Sequence, residues 1–153
     1  MTELKNKIDL ILGKALVLIM GLMVVNVLWQ VFTRFIIGDP SSFTDELARF
    51  LMIWLGVLGA AYVSGKNLHV AIDIIPSRSS TARRRRMNIT VDILIILFAL
   101  AAFVIGGSRL VYISYVLGQQ SPALQFPMAL IYSVIPLSGL LIVFFKTHKL
   151  MNE

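Results

Sequence analysis

Four stretches free of charged side chains, residues 15–33, 50–65, 93–108 and 110–145, constrain this chain more than any other feature. A helix that crosses a bilayer needs about 20 predominantly apolar residues, with a range of roughly 17–25. The last stretch runs for 36 residues, room for the end of one span, a turn and a further span, and Gly118, Gln119, Gln120, Ser121 and Pro122 supply the turn. Four transmembrane helices are expected, near 10–35, 46–65, 88–116 and 123–146. Only 14% of the residues are charged, against about a quarter in a soluble domain, and no room is left for one. The expected fold is therefore an all-α integral membrane protein, a single four-helix domain over residues 1–153.

A net charge of +6 could signal nucleic acid binding, but its distribution signals membrane topology instead. Lys5, Lys7 and Lys14 flank the first span; Lys66, Arg78, Arg83, Arg84, Arg85 and Arg86 separate the second from the third; Lys146 and Lys149 close the fourth. The alternate segments hold only Arg34, Arg49 and Arg109. Because Lys and Arg collect in cytoplasmic loops, both termini are expected inside. The run Arg83, Arg84, Arg85, Arg86 reads as a cytoplasmic anchor facing lipid headgroups, each basic residue worth about 1 kcal/mol against anionic lipid. The N-terminus has a basic flank but too long an apolar core for a cleaved signal. The chain has no cysteine, which excludes disulfides, thiolate metal sites and cysteine nucleophiles.

Polar and small residues inside the spans fall at helical spacing. Residues 2–14 place Leu4, Ile8, Ile11 and Leu12 on one face, an amphipathic lead-in at the cytoplasmic interface. Asn26, Gln30 and Arg34 are four apart and stack on one face of the first span. Such a stripe either lines a path or hydrogen-bonds to a neighbouring helix, at about 0.6 kcal/mol per contact. Gly56, Ala60 and Ser64, with Gly59 beside them, form a helix-packing seam on the second span, since small residues let backbones approach where lipid supplies no hydrophobic drive. Asp92 is expected to be held by a nearby arginine or by the interface, and Arg109 to snorkel outward. Pro127 suits a helix first turn, and the interior Pro136 should bend the fourth span and free the Tyr132 carbonyl.

Charges also crowd the mouth of the second span in FTDELARFLMIWLG, where Asp45, Glu46 and Arg49 precede the apolar run. With Arg34 across a short connection as the expected partner of Glu46, they are read as a structural ion-pair cluster tying the first two helices, or as a docking edge. An ion site is disfavoured because the arginines compete for the carboxylates. His69 and Asp73 are four apart but lack a third ligand nearby. No catalytic, cofactor or metal site is expected, and the chain is not an enzyme.

These segments in this order resemble the small membrane subunit of TRAP (tripartite ATP-independent periplasmic) transporters, the DctQ-like or SiaQ-like family. The resemblance rests on TRFI with Arg34, on TDELARFLMIWLGVLGAAY with Glu46, Ala48, Trp54, Gly56 and Gly59, on NLHVAIDI with His69 and Asp73, and on PALQFPMALIYSVIPLSG with Pro127 and Pro136. Phe43 stands where a tryptophan is common, and Asp45 where glutamate is common. The resemblance implies an inner-membrane scaffold for a large TRAP membrane subunit, with a periplasmic binding protein delivering a C4-dicarboxylate or sialic acid for sodium-coupled uptake. The alternative is a stand-alone homo-oligomeric transporter or channel lined by the Asn26–Gln30–Arg34 stripe.

Overall fold

A computed structural model describes residues 2–39, 41–66 and 81–152. His69, Asp73 and Arg78 lie outside the described residues, as do the side chains of Arg83 and Arg84. The helices are α1 (Thr2–Phe32), continued by a π-helical segment Thr33–Ile37, α2 (Ser42–Gly65), α3 (Thr81–Phe98), joined through a π-helical segment Ala99–Gly106 to α4 (Gly107–Val116), α5 (Met128–Tyr132) and α6 (Val134–Asn152). They make four spans: Glu3–Ile37, Ser42–Gly65, Arg85–Val116 and Met128–Met151. Helices are the expected outcome, because in lipid every backbone N–H and C=O must find a partner within the protein.

The boundaries differ from those read off hydropathy, for local reasons. The N-terminal lead-in is the start of α1, whose 31 residues rise about 46 Å at 1.5 Å each, well beyond the roughly 30 Å hydrocarbon core. The arginine run belongs to the first turns of α3 and not to the preceding loop; arginine is a good helix former, and nothing in TARRRRMN breaks a helix. The fourth span starts at Met128, later than hydropathy suggests, because residues 118–127 form a loop capped by Pro127. At Ser133 the helix is interrupted before Pro136, dividing α5 from α6. Gly38, at φ 79°, ends the first span in the left-handed conformation, its N–H donating to the Thr33 carbonyl at 3.0 Å.

Extensive packing follows the order α1, α2, α6, α3. The spans thus stand in a row centred on α2 and α6. The core is correspondingly thin: Leu12, Leu58, Ala61, Ala99, Val134, Ile142 and Phe145. Three glycines permit the closest approaches. A Cβ on Gly139 would lie 2.6 Å from Phe103 Cβ, one on Gly107 2.8 Å from Ile135 Cγ2, and one on Gly65 2.9 Å from Asp9 Oδ1. α6 therefore seats against the π-helical segment at Gly139, and the Pro136 bend against α4 at Gly107. The α1–α2 and α4–α5 connections lie at one end of the row, hereafter the loop end. The two termini and the Gly65 and Thr81 helix ends lie at the other, the terminal end.

Candidate functional site

At the loop end the first turn of α2 collects contacts from three directions. Asn26, buried in α1, donates from Nδ2 to the Thr44 carbonyl at 2.7 Å. One turn further, Gln30 Nε2 donates to Asp45 Oδ1 at 3.2 Å. These bonds set the height of α1 against α2, and the spacing of four that marked the stripe in sequence is the reason both reach the same turn. The third member, Arg34, does not join them. It is exposed, with its guanidinium 6.0 Å from the Phe35 ring centroid.

Glu46 has a role that its sequence context did not suggest. Its Oε2 accepts the backbone N–H groups of Ala123 at 2.9 Å and Leu124 at 2.8 Å, 77 and 78 residues away. The loop it holds is also self-bonded: Ser121 donates from its backbone N–H to the Phe126 carbonyl at 2.9 Å, and its Oγ accepts the Phe126 N–H at 3.2 Å. Met128 closes the loop by donating to the Gln119 carbonyl at 2.9 Å. Glu46 thus clasps the α4–α5 loop, and the expected Glu46–Arg34 pair is corrected. Two converging N–H donors satisfy a carboxylate oxygen in fixed geometry, which a long exposed arginine does not offer. Within the cluster, Asp45 pairs with Arg49 one turn on at 3.2 Å, both more than 60% exposed. Such a pair on a helix surface is worth about 0.3–0.5 kcal/mol.

Deeper in the row, two side chains of α2 and α6 satisfy carbonyls across the helix interface. Trp54 Nε1 donates to the Ile131 carbonyl at 3.1 Å, next to the interruption caused by Ser133 and Pro136. Ser138 Oγ donates to the Val57 carbonyl at 2.7 Å. The tryptophan noted as a family-type residue is therefore a tie between the second and fourth spans. Beside it lies an apolar groove of about 270 Å³ lined by Leu47, Phe50, Leu51 and Phe126.

The terminal end is held by charges. Asp92 in α3 accepts from Lys146 Nζ at 2.8 Å and Lys149 Nζ at 2.6 Å, both in α6, and the Asp92 and Lys146 side chains are each only 3% exposed. The expectation of an arginine or interface partner for Asp92 is corrected: the nearer residues in sequence lie on the same helix, whereas α6 packs directly against it. Lys66 Nζ lies 3.4 Å from Asp9 Oδ2, joining the far ends of α1 and α2. Sequence had placed Lys146, Lys149 and Lys66 only as topology markers. The sequence shows two lysines one turn apart near the end of α6, but nothing local ties them to Asp92.

The small-residue seam divides. Gly56 and Gly59 have no atom within 4 Å of an added Cβ, and Ala60 is exposed, so these three face outward from the row. Ser64 is buried on the inner side. Among the described residues no three His, Cys, Asp or Glu side chains gather where they could hold a metal ion.

Comparison with known proteins identifies the family. Residues 23–153 match the family described as tripartite ATP-independent periplasmic transporters, DctQ component. The chain belongs to the DctQ family. As a DctQ component it is a small permease subunit of a TRAP transporter, a multi-pass inner-membrane protein and not an enzyme. It is 25% identical over 128 residues to the sialic acid TRAP transporter small permease protein SiaQ of Vibrio cholerae, covering 81% of this chain and 70% of that one. It is 29% identical over 140 residues to the ectoine TRAP transporter small permease protein TeaB of Halomonas elongata, covering 88% and 71%. It is also 34% identical over 102 residues to the isethionate TRAP transporter permease protein DctMQ of Oleidesulfovibrio alaskensis, covering 65% of this chain and 16% of that much longer one.

Proposed function

We propose that this DctQ component is the static scaffold of a sodium-coupled TRAP transporter for an organic acid of the C4-dicarboxylate or sialic acid class. It supports a large membrane subunit and, on the periplasmic side, the docking of a substrate-binding protein. The observation that carries the reading is the outward face of α2, where Gly56, Gly59 and Ala60 leave the backbone open. Small residues facing lipid gain nothing from it, whereas a partner helix gains close contact. A DctQ-like stretch within the longer DctMQ permease supports a partner of this kind. Sialic acid, ectoine and isethionate in the relatives' names vary in charge and size, which supports placing substrate selection in the partners.

The basic residues orient the scaffold with the terminal end and the Arg83–Arg86 anchor in the cytoplasm. Arg34, Asp45 and Arg49 then face the periplasm, where their exposed charges form a docking edge for the binding protein, while Glu46 shapes the adjoining loop. Cysteines at Gln119 and Met151 should react with an impermeant reagent from opposite sides; reaction of both from one side contradicts this orientation. The scaffold role is tested by purification from native membranes. Gly56→Leu should retain the wild-type Tm while the large subunit is lost from the eluate. Undiminished recovery of the large subunit with Gly56→Leu contradicts the reading.

A further inference from the structure

A cleft between α1 and α2 at the terminal end, about 710 Å³ in volume, is bordered by the Asp9–Lys66 pair and takes no other part in the helix ties described above. Its walls are of two kinds. Toward the middle of the span, Val17 and Leu18 make an apolar trough, 74% and 65% exposed, and Gly13 forms its neck beneath Tyr62. Toward the terminal end, Lys14, Lys66 and Tyr62 form a polar rim. Residues 14, 17 and 18 share one face of α1 by helical spacing, so rim and trough are continuous.

Lys66 Nζ sits 5.5 Å from the centre of the Tyr62 ring and 3.4 Å from Asp9 Oδ2, with its side chain 43% exposed. An ammonium carries three donors, so one carboxylate contact leaves others for a second acceptor. Lys14 is exposed on the same rim. Two ammoniums against the single Asp9 carboxylate leave the lining with an excess positive charge. Gly13 keeps the trough open beneath Tyr62, since even a Cβ there would lie 3.4 Å from the ring.

A small anion would satisfy the lysines but leave the trough empty, and an acyl chain alone would do the reverse. A phospholipid carries both parts in the required order along the membrane normal. We infer that this cleft binds one anionic phospholipid, its phosphate between Lys14 and Lys66 and one acyl chain passing the Gly13 neck to lie over Val17 and Leu18. Basic pockets at the ends of membrane helices take anionic headgroups for the same electrostatic reason.

The test uses the full chain in detergent, freed of endogenous lipid, with bound lipid counted by native mass spectrometry. Titration with phosphatidylglycerol should give a single retained lipid, and phosphatidylcholine a much weaker one. Inorganic phosphate should not displace phosphatidylglycerol. Lys14→Gln should weaken binding about fivefold, the equivalent of one basic residue at a membrane surface. Gly13→Leu should fill the trough and abolish retention, with helicity by circular dichroism unchanged in both variants. Equal retention of phosphatidylcholine, displacement by inorganic phosphate, or wild-type affinity in both variants overturns the inference.

Discussion

The two ends of the helix row are fastened by different chemistry. At the loop end the ties are hydrogen bonds, most of which finish on backbone groups: Asn26 on the Thr44 carbonyl and Glu46 on the Ala123 and Leu124 N–H groups, with Trp54 on the Ile131 carbonyl deeper in the row and Gln30 on the Asp45 side chain as the exception. At the terminal end they are charge pairs between side chains, Asp92 with Lys146 and Lys149, and Asp9 with Lys66. Backbone ties fix the height and rotation of one element against the next, because the backbone partner, donor or acceptor, cannot move along its own element. Long lysines tolerate some sliding but concentrate their energy in a few buried charges. The loop end should therefore lose stability in small steps, and the terminal end in one large one.

The largest expected effect follows from that contrast. Asp92→Asn removes the charge that balances Lys146 at 3% exposure, and an unpaired buried charge costs about 3–5 kcal/mol. Folded yield and Tm in detergent should collapse, and Lys146→Met added to Asp92→Asn should recover part of the loss. A small change in Tm for the single variant would break the comparison.

An intermediate effect is expected at the clasp. Glu46→Ala removes two hydrogen bonds from an exposed and a half-buried amide that water can partly replace, at about 1 kcal/mol. Hydrogen exchange at Ala123 and Leu124 should accelerate while the terminal end stays protected. Arg34→Glu should neither reproduce nor rescue this, since Arg34 is not the Glu46 partner; rescue by charge exchange would restore the ion-pair reading. The smallest effect belongs to Asp45→Asn, which breaks an exposed pair worth about 0.3–0.5 kcal/mol and should leave Tm nearly unchanged. A loss as large as that of Glu46→Ala would mean that the exposed charges, and not the backbone ties, hold the loop end.

The sequence showed the four spans because uncharged length is a property of each segment alone. It placed Asn26, Gln30 and Arg34 on one helix face because their spacing is local, but did not show that the first two reach α2 and Arg34 does not. The partners were not legible. Glu46 binds amides of Ala123 and Leu124, which have no side-chain signature, and Asp92 meets Lys146 only through the packing of α3 on α6. Glycines were ambiguous for a related reason: Gly56 and Gly139 look alike in a hydropathy trace, yet one faces outward and the other lies against Phe103. Which face of a helix turns inward depends on the whole row and not on the helix itself.

The proposed scaffold role leaves the chain without a transport site of its own. Liposomes containing the purified chain alone, and liposomes containing it with its co-purified membrane partner, each supplied with binding protein, substrate and an inward sodium gradient, test it directly. Uptake should occur only with the partner present. Sodium-driven accumulation of substrate by the chain alone would contradict the account.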